Sequence, residues 1–168
     1  GSIGSEYMYI SDISQKRWIQ ARLESIRATP QYSPEQKKHI LRRVTAAETL
    51  EKYLHTKYVG QKRFSLEGGD STIVAMDELI SVAGSLGAQE IVVGMAHRGR
   101  LNVLVNTLGK SPSTLFAEFE GLTEVDLTAG DVKYHKGFSS DVMTPGGPVH
   151  LRSEEHTSDS SHVSQSRM

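Results

Sequence analysis

The run Ile91-Val92-Val93 constrains the fold of this chain more than any other stretch. It is short, wholly apolar and β-branched, the composition of a buried strand. A helix-spaced segment from Ser71 to Leu86 precedes it and closes at Gly87. After it comes the polar turn Gly94-Met95-Ala96-His97-Arg98-Gly99-Arg100, then a helical stretch with Leu101, Leu104, Val105 and Leu108 that closes at Gly109. Helix, buried strand, polar turn, helix is the pattern of an α/β fold with a parallel sheet and flanking helices. In such sheets ligands bind beyond the carboxyl ends of the strands, and His97 and its neighbours sit at such an end. Ser113 is placed to cap a further short helix holding Leu115, Phe116 and Phe119.

Residues 1–60 read as a helical N-terminal segment. A first helix is expected to start at Ser11 or Asp12, to present Ile19, Leu23 and Ile26 on one face, and to end at Thr29-Pro30. The second start is sharper. Ser33 suits an N-cap, Pro34 the first helical position, and Gln36 completes a capping box. Ile40, Val44, Ala47, Leu50 and Leu54 then form an apolar stripe, and Gly60 is a natural stop. Residues 61–151 form the α/β domain, incomplete on the strength of one recognisable strand. That is too little for a stable sheet, so marginal stability and an exposed edge are expected. Residues 152–168 are polar and hold almost nothing that could be buried.

Composition removes several classes of function. With 19 Lys+Arg against 20 Asp+Glu, the formal charge is −1, which argues against nucleic acid as the main partner. There is no cysteine, so disulfide scaffolds, thiol catalysis and cysteine-ligated zinc are excluded. No apolar run approaches the ~20 residues of a membrane span. The seven histidines are dispersed and form no metal-ligand spacing, so no metal site is expected within the chain. No secretory or transit-like segment is visible near residue 1, which favours a bacterial cytoplasm over a mitochondrial matrix.

Three stretches could carry chemistry. The turn 94–100 sets one imidazole and two guanidiniums after a strand and before a helix. Such a corner suits an anion, with His97 able to exchange a proton near neutrality; it also fits a plain capping turn with solvated arginines. The stretch 130–137 holds Lys133, Tyr134 and His135 between glycines. The residues that follow, Phe138-Ser139-Ser140-Asp141 and Pro145-Gly146-Gly147-Pro148, read as a loop with little regular structure. In Phe64-Ser65-Leu66-Glu67-Gly68-Gly69-Asp70 the glycine pair lacks the lysine and spacing of a P-loop, so a turn before the Ser71 helix is the simpler reading.

Several strings together resemble one family, in order along the chain from about Ser5 to Leu151. They are 6–12 through Arg17-Trp18, Lys62-Arg63-Phe64-Ser65-Leu66-Glu67-Gly68-Gly69-Asp70, the turn 94–104, Gly130-Asp131-Val132-Lys133-Tyr134-His135, Gly137-Phe138-Ser139-Ser140-Asp141, and Gly146-Gly147-Pro148-Val149-His150-Leu151. The chain resembles the thiamine-diphosphate-dependent first component of the 2-oxoglutarate dehydrogenase complex. The resemblance implies a thiamine-diphosphate-binding α/β fold. It also implies oxidative decarboxylation of 2-oxoglutarate in the tricarboxylic acid cycle, with succinyl transfer to lipoyl groups of the dihydrolipoyl succinyltransferase core. Homodimerisation is implied too. The family's catalytic histidines fall on His97 and His135, and Ser139 matches a residue near the same centre. Arg63 and Arg98 are weaker candidates for anion contacts.

The departures from the family carry expectations of their own. The family protein is several times longer. The acidic motif and asparagine that hold magnesium and the diphosphate have no counterpart here, so this chain alone is expected to be an inactive fragment. The stretch Arg152-Ser153-Glu154-Glu155-His156-Thr157-Ser158 resembles the translation of a sequencing-adapter oligonucleotide, so residues 152–168 are expected to be a non-native or disordered tail. Two alternatives stand beside the main expectation: a 2-oxoadipate dehydrogenase relative, and a non-catalytic dimerisation or core-docking module built on residues 5–60.

Overall fold

The computed structural model describes residues 4–27, 29–61, 63–120 and 137–154. The chain divides into two compact units, residues 1–39 and 40–168, with the division inside a long helix.

The first unit holds α1, Ile13–Ser25, and the start of α2, Pro34–Lys57. Asp12 caps α1, its carboxylate accepting the Gln15 N–H at 2.8 Å. The helix stops at Ser25, ahead of the expected Thr29-Pro30, and Arg27 beyond it adopts a left-handed φ of 49°. No residue of α1 is buried; Ile19 and Leu23 are half-buried and Ile26 is exposed. The α2 capping box forms as read: Gln36 N–H donates to Ser33 Oγ at 3.2 Å, and Ser33 N–H donates to Gln36 Oε1 at 2.9 Å.

Among the described residues the second unit is built on three strands. They follow α3, Ser71–Ser85, and are interleaved with two short helices: β1 Glu90–Val93, α4 Arg100–Asn106, α5 Pro112–Glu120, β2 Ser139–Thr144 and β3 Gly147–Ser153. The sheet order is β1-β3-β2. β1 runs parallel to β3 with Ile91 opposite Leu151, and β2 joins antiparallel with Val142 opposite Val149. The α/β expectation therefore holds with a mixed sheet. β3 extends past Leu151 through Arg152 and Ser153, and Ser153 is fully buried.

The core lies on one face of this sheet. Val149 and Leu151 pack with Ile73, Ile80, Val103, Leu108 and Ala47. A second cluster joins Leu50, Leu54 and Tyr58 of the α2 side to Leu101, Leu115 and Phe119. Both follow the apolar periodicity of their helices.

Three expectations need correction. β1 is not a fully buried strand. Ile91 and Val93 face the core, but Val92 on the other face is 47% exposed. An apolar β-branched run shows that a strand forms, not how many layers cover it. Residues 138–148 are not a loop but most of a hairpin, whose strands pair from Thr144–Gly147 outward across the two-residue turn Pro145-Gly146. That turn lies so close to α3 that a Cβ on Gly146 would overlap the Gly84 carbonyl, and a Cβ on Gly84 would overlap Thr144. Finally, the helix of Leu115 and Phe119 begins ahead of Ser113. Pro112 takes the first helical position and Ser111 C=O accepts the Leu115 N–H at 3.1 Å.

Candidate functional site

The site is assembled from the carboxyl ends of β1 and β3 and the amino end of β2. Because β1 and β3 are parallel, Val93 pairs with Ser153; because β2 is antiparallel, its first residue, Ser139, pairs with Arg152. The turn 94–99, Ser139 and Glu154 therefore share one end of the sheet. Gly94 faces the Glu154 carboxylate there, 3.2 Å from where a Cβ would stand. Ser153 ties the end together: its N–H donates to Phe138 C=O and its hydroxyl accepts the Phe138 N–H, both at 3.0 Å.

The turn bearing His97 is fixed against residues 63–66. Gly99 N–H donates to Phe64 C=O at 2.8 Å, and the Arg98 guanidinium donates to Ser65 C=O at 3.1 Å. The Phe64 ring stacks on the His97 imidazole, with centroids 5.1 Å apart and planes 29° apart. Gly99 has φ 75°, and a side chain there would run into Leu66, so glycine meets both demands. His97 and Arg98 are exposed, whereas Arg100 is buried and donates back to Met95 C=O at 3.3 Å. Of the two guanidiniums that followed the strand in sequence, one braces the turn and the other is on the surface.

Arg63 is held within a buried polar network. Its guanidinium donates to Glu51 Oε2 at 2.7 Å and Glu51 C=O at 3.1 Å, and meets His55 Nδ1 at 3.2 Å and Glu67 at 3.3 Å. Glu51 is 2% exposed. Its Oε1 accepts the Leu66 N–H at 3.1 Å and the Asn102 side-chain amide at 3.0 Å. Asn102, fully buried, also donates to Ala47 C=O at 2.9 Å and accepts from Asn106 at 2.7 Å. One carboxylate thus joins α2, the 63–66 segment and α4, the three pieces around the His97 turn.

The structure brings His97 and Arg98 together with the backbone of 64–66, sets Ser139 at the same end of the sheet, and directs Arg63 into the network. His135 lies outside the described residues. Among the described residues no three of His, Asp and Glu converge as metal ligands, and no helix is long and apolar enough to cross a membrane.

Most of the chain is similar in sequence to known proteins. A 2-oxoglutarate dehydrogenase E1 component of Cupriavidus necator is 74% identical over 151 residues, which is 90% of this chain and 16% of that protein. By sequence the chain matches one part of a 2-oxoglutarate dehydrogenase E1 component. The E1 component of Azotobacter vinelandii is 60% identical over 89% of the chain, and that of Coxiella burnetii 51% over 90%. Each match again covers 16% of the relative, so the chain spans a small part of the length of the E1 components it matches. No family model matches the chain.

Sequence reasoning passed over two parts of this corner. Glu51 carried a signal: it is a carboxylate beside Leu50, one turn from Ala47 and Leu54, on the apolar side of a helix. A charge on such a face is buried only with partners. Asn102, inside the matched string 94–104, gave no separate sign of being fully buried.

Proposed function

We propose that this chain is the part of a 2-oxoglutarate dehydrogenase E1 component that carries His97 and His135 toward the reacting centre of a longer enzyme. His97 binds a substrate carboxylate and relays a proton there, Arg98 adds a second cationic contact, and Ser139 lines the same end of the sheet. His135 precedes Gly137 by two residues in sequence and enters this proposal through the family resemblance alone. What carries the proposal is the exposed imidazole of His97, held by stacking and by a pinned turn, beyond the carboxyl end of β1. The names of the relatives favour 2-oxoglutarate over 2-oxoadipate.

Thiamine diphosphate and magnesium belong to this proposal as groups of the whole protein. Among the described residues no three of His, Asp and Glu converge, and no step is routed through magnesium or the diphosphate. Such a cofactor supplies the electron sink for decarboxylation, while the protein supplies orientation and charge. The dihydrolipoyl succinyltransferase core and a second E1 copy are partners of the longer protein in the same sense.

Two measurements test this. The purified 168-residue chain is expected to show no 2-oxoglutarate decarboxylation with added thiamine diphosphate and magnesium; turnover would overturn the assignment of the cofactor site to the remainder of the protein. In the full-length enzyme, His97→Ala and His135→Ala should each lower kcat/KM by about 10²-fold or more, the scale of losing a positioned acid–base group. Unchanged rates in both would refute their roles.

A further inference from the structure

We propose that Phe64 is a positioning residue for the His97 imidazole, locked in place by the buried Glu51 carboxylate. It rests on the functional role given to His97 above. Among the described residues Phe64 is one of two non-glycine residues with positive φ, at 42°. A large L side chain takes that conformation only where the surroundings over-determine it, and such residues cluster at functional sites. The surroundings here do so from both sides of the residue. Arg63 before it is bound to Glu51, and Leu66 after it donates to the same carboxylate. Its own carbonyl accepts the Gly99 N–H, and the neighbouring Ser65 carbonyl accepts from Arg98.

The left-handed turn gives the ring two neighbours. It packs against the Leu50–Leu54–Leu101 cluster and stacks on the exposed imidazole. An extended Phe64 could not keep the Arg63 and Leu66 contacts to one carboxylate and the bond to Gly99 together with the stack. The stack limits rotation of the His97 ring while leaving it open to solvent, which suits a group that must meet a substrate in one orientation.

Nuclear magnetic resonance of the full 168-residue chain tests this. In the unsubstituted chain, nuclear Overhauser contacts between the Phe64 ring protons and His97 Hδ2 or Hε1 are expected, and their absence in folded protein overturns the proposal. Phe64→Leu should move the His97 ring protons downfield by removing the ring current and leave His150 unmoved; Phe64→Tyr should restore the shift. Unmoved His97 protons in a folded Phe64→Leu chain would also overturn it. In the full-length enzyme, Phe64→Leu should lower kcat/KM about tenfold, with Phe64→Tyr close to the unsubstituted rate. A full rate in Phe64→Leu would overturn the positioning role. If instead the magnetic contacts are present but His97→Ala keeps full activity, the catalytic role of His97 falls while the stack stands.

Discussion

Helices α1 and α4 make opposite use of the chain. α1 has 13 residues, a well-formed Asp12 cap and no buried residue. α4 has only seven residues and no side-chain cap, yet its first five, Arg100 to Leu104, are all buried. Local signals, the Asp12 cap above all, set where α1 begins, and none of its residues is buried. α4 is too short to be stable alone; it is held by Leu101 and Leu104 and by Asn102 reaching Glu51 and Ala47. The residues that matter for a site are supported by long-range contacts, not by helix strength.

The sharpest way to break this comparison is to remove the carboxylate on which α4 depends. Glu51→Ala leaves the Leu66 N–H without its acceptor, takes the carboxylate from the Arg63 guanidinium and removes one of the two acceptors of the Asn102 amide. Removing one partner of a buried ion pair costs about 3–5 kcal/mol, and the midpoint of urea unfolding followed by circular dichroism should fall accordingly. A loss under about 1 kcal/mol, the size of one ordinary hydrogen bond, would mean that apolar packing alone holds α4.

A second test concerns the hairpin, the region the sequence hid best. Gly146→Ala drives a methyl group into the Gly84 carbonyl, and backbone cannot yield as a side-chain tip can. Overpacking of this kind costs about 1–3 kcal/mol. If the unfolding midpoint is unchanged, the close approach of the turn to α3 is not as tight as described.

These two sites also show where a sequence stops being legible. The Ser33-Pro34-Gln36 start, the Gly87 stop and the β1 strand could be read directly, because each depends on residues within a few positions; α4 ends at Asn106, ahead of the expected Gly109. The β2–β3 hairpin was missed because Pro145-Gly146-Gly147-Pro148 looks like a loop, and its alternation is short on either side: Val142 and Thr144, then Val149 and Leu151 share one face. The exposure of Val92 was invisible for a related reason, since a strand does not record what lies over its second face. At the site, the place of His97 beyond a strand end followed from the order of elements. The link from Glu51 to Asn102 did not, because it joins residues about 50 positions apart; nor did the positive φ of Phe64, which goes with contacts to Glu51 and Gly99 on either side that no local pattern encodes.

A smaller effect comes from pH. Burial raises the Tyr58 hydroxyl pKa above its ordinary value, and the hydrogen bond to Glu120 at 3.2 Å raises it further. Because the folded chain holds this proton more tightly than the unfolded chain, the contribution is fully present below about pH 10. It is lost as pH rises through the raised folded value. Tyr58→Phe should therefore flatten the alkaline limb of the stability profile above pH 10. An identical alkaline limb in both proteins would show that the phenol is not protected.

The smallest expected effect is the most direct test of α1 itself. Trp18 is the single tryptophan of the chain. It is 60% exposed, and Arg22 lies over its ring 4.0 Å from the centroid. Its emission should already resemble that of a solvated indole in the native chain. Coincident transitions by different probes mark a single cooperative unit. Here they should not coincide: circular dichroism should report the loss of the sheet and its helices as one transition, while Trp18 emission drifts with little change in wavelength. Trp18→Ala should in turn move the circular dichroism midpoint by less than about 0.5 kcal/mol, as surface substitutions usually do. A blue-shifted native emission that jumps to the red together with the circular dichroism signal would place Trp18 in a packed environment. The contrast between a helix made by its own sequence and one made by its neighbours would then fail at α1.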